Sequence, residues 1–433
     1  MTIRARLKLI ALGILLALLA GVVWLLGTES GTRFVLARAK PYLPTELEFR
    51  YAGGSFSGDV CLESVSWKSE SLDVAIRGAC VKIEVARMLS RHLAIRSLDV
   101  EEIQIVSRPA PDADSSDELP SIESPLRISI DSSSLRNLSF ERDQQTRTID
   151  RLQFAGELSG SSLGVSQLVL RSNWLNAGLT GDIELEKLYR GNLDVEWQWT
   201  DSPSIPLAGK LSLHGDLQRV ELEHTLNAPQ QVTTTGSFSY LSNRLELDLE
   251  NTWNAIQWET DELLLQSRNG SLRLKGPIER LDVVLDALCR FDDLPETQIR
   301  LIGSTDFESI DFSNLVASND LGVLNASGSA RWAPISMFDI EYALSDLDPS
   351  FASDLLQGNV HATGAASGTF AKDTHELAVR VAKLSGFVNG QPLDGSGEIT
   401  HTPNQLKVAD SRIQLGRNLV SVVGAAGASG TLA

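Results

Sequence analysis

The sequence has few of the residues from which most active sites are built. Its 433 residues include three cysteines and six histidines, and only 6% are aromatic. The histidines are scattered, and no Cys-x-x-Cys pair or Cys/His cluster has the spacing of a zinc site. No phosphate loop and no serine nucleophile elbow occurs. We therefore expect a protein that is not an enzyme and that uses no metal and no cofactor.

Basic residues are in the minority. Lys and Arg number 38 against 56 Asp and Glu, which gives a formal net charge of -18. Nucleic acid binding requires a concentrated basic face, so we expect no nucleic acid partner. The acidic balance also argues against broad adhesion to anionic lipid headgroups.

The three cysteines leave one question open. Cys61 and Cys80 lie near the ends of predicted neighbouring strands, and an oxidising compartment could join them. Two separate buried thiols are the alternative. In the first case Cys289 stays unpaired.

A single long apolar run stands out near the N-terminus. Residues 9–28 carry no charge, follow Arg4, Arg6 and Lys8, and have no counterpart in the following 400 or so residues. A 20-residue helix is about 30 Å long and can span a bilayer, with the basic flank on the cytoplasmic side. A cleaved signal peptide is the alternative, but the run is too long and is bulky at residues 24–26. The predicted anchor is 1–28, with core positions Leu9, Ile14, Leu18, Val22 and Leu26.

A short helix is expected directly after the anchor. Ser30 can cap it, and Pro41 and Pro44 end it. We expect residues 29–46 to form an amphipathic helix at the membrane interface.

From about residue 47 the hydrophobic period changes to two, which indicates strands with one apolar and one polar face. The pattern predicts an N-terminal β segment over 47–107 and a repetitive β segment over 126–433. Between them, 108–125 is acidic and proline-rich and is predicted to be a loop. The alternating apolar positions form one candidate set: Val74, Ile76, Val81, Ile83, Val85, Leu98, Val100, Ile103, Ile105, Ile183, Leu185, Val195, Trp197, Leu245, Leu247, Leu249, Leu272 and Leu274.

These positions create a continuous apolar surface if consecutive strands align. On periodicity alone a sandwich or barrel, in which a second sheet covers that surface, is favoured over an open groove. An open groove lined by Leu, Val and Ile could instead hold acyl chains, which gain about 0.8 kcal/mol for each CH₂ removed from water.

Four stretches resemble the start of the TamB family, which belongs to the AsmA-like group. They are residues 25–31, 53–58, 62–65 and 98–105, and the resemblance is strongest over residues 1–130. It implies a mostly β protein with one N-terminal transmembrane helix in the bacterial inner membrane and a long periplasmic β-taco. A β-taco is a U-shaped groove of short antiparallel strands lined with apolar side chains.

The resemblance also implies a function. Members of this group are bridges that carry phospholipid between the inner and outer membranes and support outer-membrane biogenesis. The implied partners are membrane phospholipid, the inner membrane and the outer-membrane barrel TamA. Family members run longer, so we expect this chain to be an N-terminal part and contact with TamA to use a region beyond Ala433. The alternative function is a scaffold or holdase that assists outer-membrane β-barrel or autotransporter assembly with TamA.

Overall fold

The structure is a computed structural model. It describes residues 16, 20–69, 72–107, 121–142, 145–201, 207–241, 244–259, 264–291, 295–351, 353, 355–371 and 374–427. The chain divides into two compact units. Unit 1 comprises Met1–Val220 and Asn227–Pro229, and unit 2 comprises Glu221–Leu226 and Gln230–Ala433.

The N-terminal part of unit 1 is helical. Residues 20–27 are helical, and α1 (Glu29–Ala39) follows, continued by a 3-10 helix at Lys40–Tyr42. Thr28 is the N-cap, because its hydroxyl accepts a hydrogen bond from the Gly31 N–H at 3.1 Å. The prediction that Ser30 caps this helix is wrong by two positions.

The predicted anchor is described only in part. Val22 and Leu26 belong to the helical residues 20–27, whereas Leu9, Ile14 and Leu18 lie outside the described residues. Among the residues that are described, no helix has the length and apolarity needed to cross a membrane.

Ten strands of unit 1 pair in chain order. They are β1 (Leu47–Gly54), β2 (Asp59–Lys68), β3 (Leu72–Ile83), β4 (His92–Ser107), β5 (Ser124–Arg142), β6 (Gln145–Gly160), β7 (Ser162–Arg171), β8 (Leu175–Glu184), β9 (Gly191–Trp199) and β10 (Leu207–Gly215). A 3-10 helix, Val85–Ser90, lies between β3 and β4. β11 (Arg219–Ala228) contains residues of both units.

The pairing of β4 with β5 departs from the expected pattern. It is parallel, with His92 opposite Arg127 and Ile105 opposite Phe140. A parallel pair needs a crossover of a dozen or more residues that returns the chain to the starting edge. The 16 residues between Ser107 and Ser124 are long enough for that crossover. The expectation of uniformly antiparallel, short strands is therefore wrong here, and β5 itself has 19 residues.

Thirteen strands of unit 2 also pair in chain order, and all of these pairs are antiparallel. They are β12 (Val232–Leu241), β13 (Arg244–Glu259), β14 (Leu264–Pro277), β15 (Leu281–Phe291), β16 (Thr297–Thr305), β17 (Ser309–Asn319), β18 (Gly322–Arg331), β19 (Ser336–Leu347), β20 (Gly358–Ala371), β21 (Thr374–Val388), β22 (Gln391–Thr402), β23 (Gln405–Leu415) and β24 (Asn418–Gly427). A 3-10 helix, Pro349–Phe351, precedes β20.

Most strand pairs of unit 2 contain a register shift. Eight of the twelve pairs have one, as between Ile302 and Gly303 or between Val381 and Leu384. A bulge of this kind bends the strand and increases its twist. Repeated bulges therefore curve the sheet of unit 2 across its strands.

Each sheet is a single layer. Within the described parts of either unit, extensive contacts join only ladder neighbours and the adjoining helices. The largest fully buried side chains are Leu281 and Thr32, whereas a sandwich core buries many large apolar residues on both inner faces. The mostly β prediction is confirmed, and the covered sandwich is not formed within either unit.

Candidate functional site

The alternating residues of unit 1 align into rows, where a row is a set of register partners followed from strand to strand. Row A crosses ten strands, and its only polar side-chain groups are the Tyr51 hydroxyl and the Trp197 indole N–H. Its members are Tyr51, Leu62, Ala79, Val100, Leu135, Leu152, Leu170, Ala177, Trp197 and Gly209. With strands about 4.8 Å apart, nine spacings make a stripe about 43 Å long.

Row B runs beside row A on the same face. Its members are Gly54, Val60, Val81, Leu98, Ser133, Phe154, Leu168, Leu179, Val195 and Leu211. Its single polar side chain is satisfied locally. The Ser133 hydroxyl donates to the Phe154 carbonyl at 2.9 Å and accepts from the Phe154 N–H at 3.0 Å. Row B therefore presents no unsatisfied hydroxyl to a ligand.

Unit 2 carries an apolar row across all thirteen of its paired strands. Row C consists of Gly236, Leu249, Leu274, Val283, Gly303, Phe312, Gly328, Ile340, Ala366, Val379, Ile399, Val408 and Gly424. No member has a polar side chain. Twelve spacings of about 4.8 Å make this stripe about 58 Å long.

Two further apolar rows lie across the strands of unit 2. Row D consists of Leu272, Leu285, Leu301, Leu315, Ala326, Tyr342, Gly364, Val381 and Gly397. Row E consists of Ala287, Ile299, Ala317, Leu324, Leu344, Ala362, Leu384, Gly395, Ile413 and Val420. Bulges between the rows allow all three to share one curved face.

The opposite face has the reverse chemistry. The row directly beside row C crosses nine strands with only polar residues: Ser237, Asp248, Lys275, Asp282, Ser304, Asp311, Ser329, Asp339 and Ser367. Lys275 Nζ lies 3.1 Å from Asp248 Oδ2, and Arg273 Nη2 lies 3.1 Å from Asp248 Oδ1. The hydrogen bond from Lys275, followed by that from Arg273, lowers the pKa of Asp248. The side chains of this row are charged or carry hydroxyl groups, and they are suited to contact with water.

Sixteen of the eighteen predicted positions lie on strands and none of the eighteen is exposed. Val100 and Trp197 belong to row A, and Val81, Leu98 and Val195 to row B. Leu249 and Leu274 belong to row C, and Leu272 to row D. The others pair with apolar or glycine partners: Val74 with Ile105, Ile76 with Ile103, Ile83 with Ile95, Ile183 with Leu163, Leu245 with Tyr240, and Leu247 with Phe238 and Gly276.

Two predicted positions lie off the strands. Val85 begins the 3-10 helix, because β3 ends at Ile83 although the alternation in the sequence continues to Val85. Leu185 follows β8 and pairs through its backbone, donating to the Ser161 carbonyl at 2.7 Å and accepting from the Ile122 N–H at 2.8 Å.

Most of rows C, D and E was missed by reading the sequence. The clearest omissions are Leu285, Leu301 and Phe312. The segments around Leu285 and Leu301 are apolar on both faces, because Val284 and Ile302 are register partners on the outer face and are about half exposed. Glycines lie at or beside several of the bulges, as at Gly270, Gly303 and Gly364.

The disulfide candidates are register partners on β2 and β3. The Sγ atoms of Cys61 and Cys80 are bonded, and the Cα atoms are 4.1 Å apart. Cys289 is a buried free thiol. The bond lies in a row that continues through Asp99, Ser134 and Gln153, beside the apolar rows and not within them.

The helical residues within 20–39 are hydrogen-bonded to the turn between β1 and β2. Thr32 is fully buried, and its hydroxyl accepts a hydrogen bond from the Phe56 N–H at 3.3 Å. The Ser57 N–H donates to the Leu26 carbonyl at 2.8 Å, which satisfies an end of the preceding helix. The start of rows A and B, at Tyr51 and Gly54, is thereby held beside the helices.

The rows can cover the acyl chains of a ligand, and they contain few side chains that could donate or accept a proton. In the described ranges, no group of three or more His, Cys, Asp or Glu side chains is placed to hold a metal ion. The candidate sites are therefore rows A and B in unit 1 and rows C to E in unit 2.

Comparison with known proteins gives one family. The family model described as "TamB, N-terminal domain" matches residues 18–118 and 112–431. No curated protein and no solved structure gives a significant match to the chain.

Proposed function

Since the chain belongs to the TamB N-terminal domain family, we propose that it is an inner-membrane-anchored periplasmic bridge. In this proposal phospholipid moves between the inner and outer membranes with its acyl chains on rows A to E and its headgroup in water. The transport supports outer-membrane biogenesis. The observation that carries the proposal is row C, thirteen consecutive register partners without a polar side chain.

The energetics favour a mobile apolar ligand. Each CH₂ transferred from water to such a face gains about 0.8 kcal/mol, so a long acyl chain is held by many small, equal contacts. A uniform row offers no deep energy minimum along its length, because every position has similar chemistry. Lipid can therefore be retained by the face and still move along it.

The lipid content of the purified full chain tests the proposal. Leu285→Asp with Leu301→Asp puts two charges into row D, and burial of an unpaired charge against apolar chains is strongly unfavourable. We expect phospholipid per protein, measured by mass spectrometry, to fall several-fold. Unchanged lipid content in a folded variant would contradict the proposal.

Two matched variants separate lipid binding from folding. Asp282→Asn with Ser304→Ala alters a register pair on the polar face of the same two strands and should leave the lipid content unchanged. Leu285→Met with Leu301→Met keeps row D apolar and should also retain lipid. Circular dichroism then shows whether each variant keeps its strands.

A second candidate function is a scaffold for outer-membrane β-barrel assembly with TamA. The observation that favours it is β24, whose Val420 and Val423 are exposed, the latter at 75%. Exposed apolar strand residues can bind another chain in an extended conformation. Photocrosslinks from Val423 to unfolded barrel proteins, together with no lipid in the purified chain, would favour this function over transport.

A further inference from the structure

One side of α1, continued by Pro41 in the following 3-10 helix, carries exposed residues at each turn. The exposed positions follow the spacing i, i+3, i+4, i+7, i+8 and i+11, which places them on one side of a helix. They are Ser30, Arg33, Phe34, Ala37, Arg38 and Pro41. The other side of α1 is packed, with Gly31 and Thr32 buried.

The exposed face is aromatic. The Trp24 ring, from the preceding helical residues, lies 6.2 Å from the Phe34 ring. The Arg38 guanidinium lies 5.6 Å from the same Phe34 ring. Tyr42, directly after α1, is 90% exposed. Aromatic rings beside cationic side chains are typical of segments at the level of lipid headgroups.

The segment that carries the exposed face is also basic. Residues 29–43 contain Arg33, Arg38 and Lys40 against a single acid, Glu29, in a chain with a net charge of -18. Glu29 is already paired with Arg33 at 2.9 Å. The local charge is thus opposite to that of the whole chain and complementary to an anionic surface.

The position of this face identifies its partner. The helical residues 20–27 lead directly into α1, and Gly31 packs so closely on them that an added Cβ would lie 2.2 Å from the Trp24 carbonyl oxygen. The face therefore stays next to the apolar residues 20–27. We propose that the face of α1, with Trp24 and Tyr42, binds the surface of a bilayer through its anionic headgroups.

This surface interaction differs from transport along the rows. It rests on the proposed function only because it requires the chain to be anchored in a membrane. It predicts a preference for anionic lipid, which the apolar rows cannot cause because they contain no cationic side chain. It is also local, so it is compatible with an acidic chain that repels anionic lipid elsewhere.

Photocrosslinking of the full chain reconstituted into vesicles tests the proposal. A benzophenone amino acid replaces Tyr42, or Tyr240 as an exposed control site in unit 2. The vesicles contain phosphatidylcholine alone or a roughly 7:3 mixture with phosphatidylglycerol. We expect position 42, but not position 240, to label lipid about tenfold more strongly in the mixed vesicles, and to lose this gain at about 0.5 M salt.

Charge variants identify the side chains responsible. Arg33→Gln with Arg38→Gln and Lys40→Gln should abolish the preference for phosphatidylglycerol, whereas Arg331→Gln with Lys383→Gln and Lys407→Gln should retain it. Millimolar inorganic phosphate should not compete, since the surface binds many headgroups together.

Equal labelling from position 42 in both vesicles, or labelling unaffected by the triple variant, would overturn the proposal. Competition by phosphate would replace it with a site for single anions. The charged row D variant should leave labelling at position 42 intact, so failure of transport and failure of this surface interaction are distinguishable.

Discussion

The buried hydroxyl of Thr32 accepts a hydrogen bond from the backbone N–H of Phe56 and so joins α1 to the turn between β1 and β2. Thr32→Val removes this acceptor, and an unsatisfied buried N–H costs about 1–3 kcal/mol. We expect faster hydrogen exchange at Phe56 and a lower unfolding temperature. Thr32→Ser keeps the hydroxyl and should behave like the unaltered chain. Equal effects of the two substitutions would show that the hydrogen bond is not what holds this corner.

The disulfide gives a second prediction. Cys61 and Cys80 are separated by 19 residues, and closing a loop of this size stabilises a protein by about 3 kcal/mol. Reduction with dithiothreitol should therefore lower the unfolding temperature of the full chain. The shift should persist in Cys289→Ala and disappear in the double variant Cys61→Ala with Cys80→Ala. If the shift persists in the double variant, the reductant acts on the protein by a route other than this disulfide.

Close packing at Gly270 gives a third prediction. A Cβ added there would lie 2.1 Å from two ring atoms of Trp253, its partner on β13. Gly270→Ala should displace the ring and break its 2.9 Å hydrogen bond to Ser267, destabilising unit 2 by about 1–3 kcal/mol. Gly178→Ala, where an added Cβ meets nothing within 4 Å, is the control. Thermal unfolding followed by tryptophan fluorescence compares the two variants, and equal melting would refute the packing argument.

The ion pairs of Asp248 predict a pH dependence. Because Lys275 and Arg273 lower the pKa of Asp248 in the folded chain, its stabilisation is complete above the unfolded value near 3.9 and is lost as pH falls through the folded value. These side chains are 40–59% exposed, so the contribution is small, about 0.2–1 kcal/mol. A double-mutant cycle of Asp248→Asn and Lys275→Met, measured by urea unfolding, should show coupling at pH 7 that vanishes in strong acid. Coupling that is unchanged in acid would contradict this assignment.

Regular alternation was enough to predict part of the apolar face. Leu245 to Glu250 alternates strictly, and Leu247 and Leu249 lie on the apolar face as expected. The method missed Leu285 and Leu301, because Val284 and Ile302 beside them are also apolar and the period of two is lost. Local alternation is informative only where the water-facing side chains are polar.

Features that depend on distant residues were not predictable. The parallel pairing of β4 with β5 joins residues about 35 positions apart in the sequence, which no local pattern encodes. The pairing of Cys61 with Cys80 depends on the register of β2 with β3, and the sequence left it open. The bulges that curve the sheet depend in the same way on two strands at once.

The central claim is that phospholipid occupies one face of the sheet, and adjacent residues of β16 test it most directly. Leu301 belongs to row D, whereas Ile302 is equally apolar but about half exposed on the opposite face. A photocrosslinking amino acid is placed at either position in the full chain in cells, and the attached lipid is identified by mass spectrometry. The account predicts phospholipid adducts at position 301 and few at position 302. Equal labelling at the two positions, or none at 301, would contradict it.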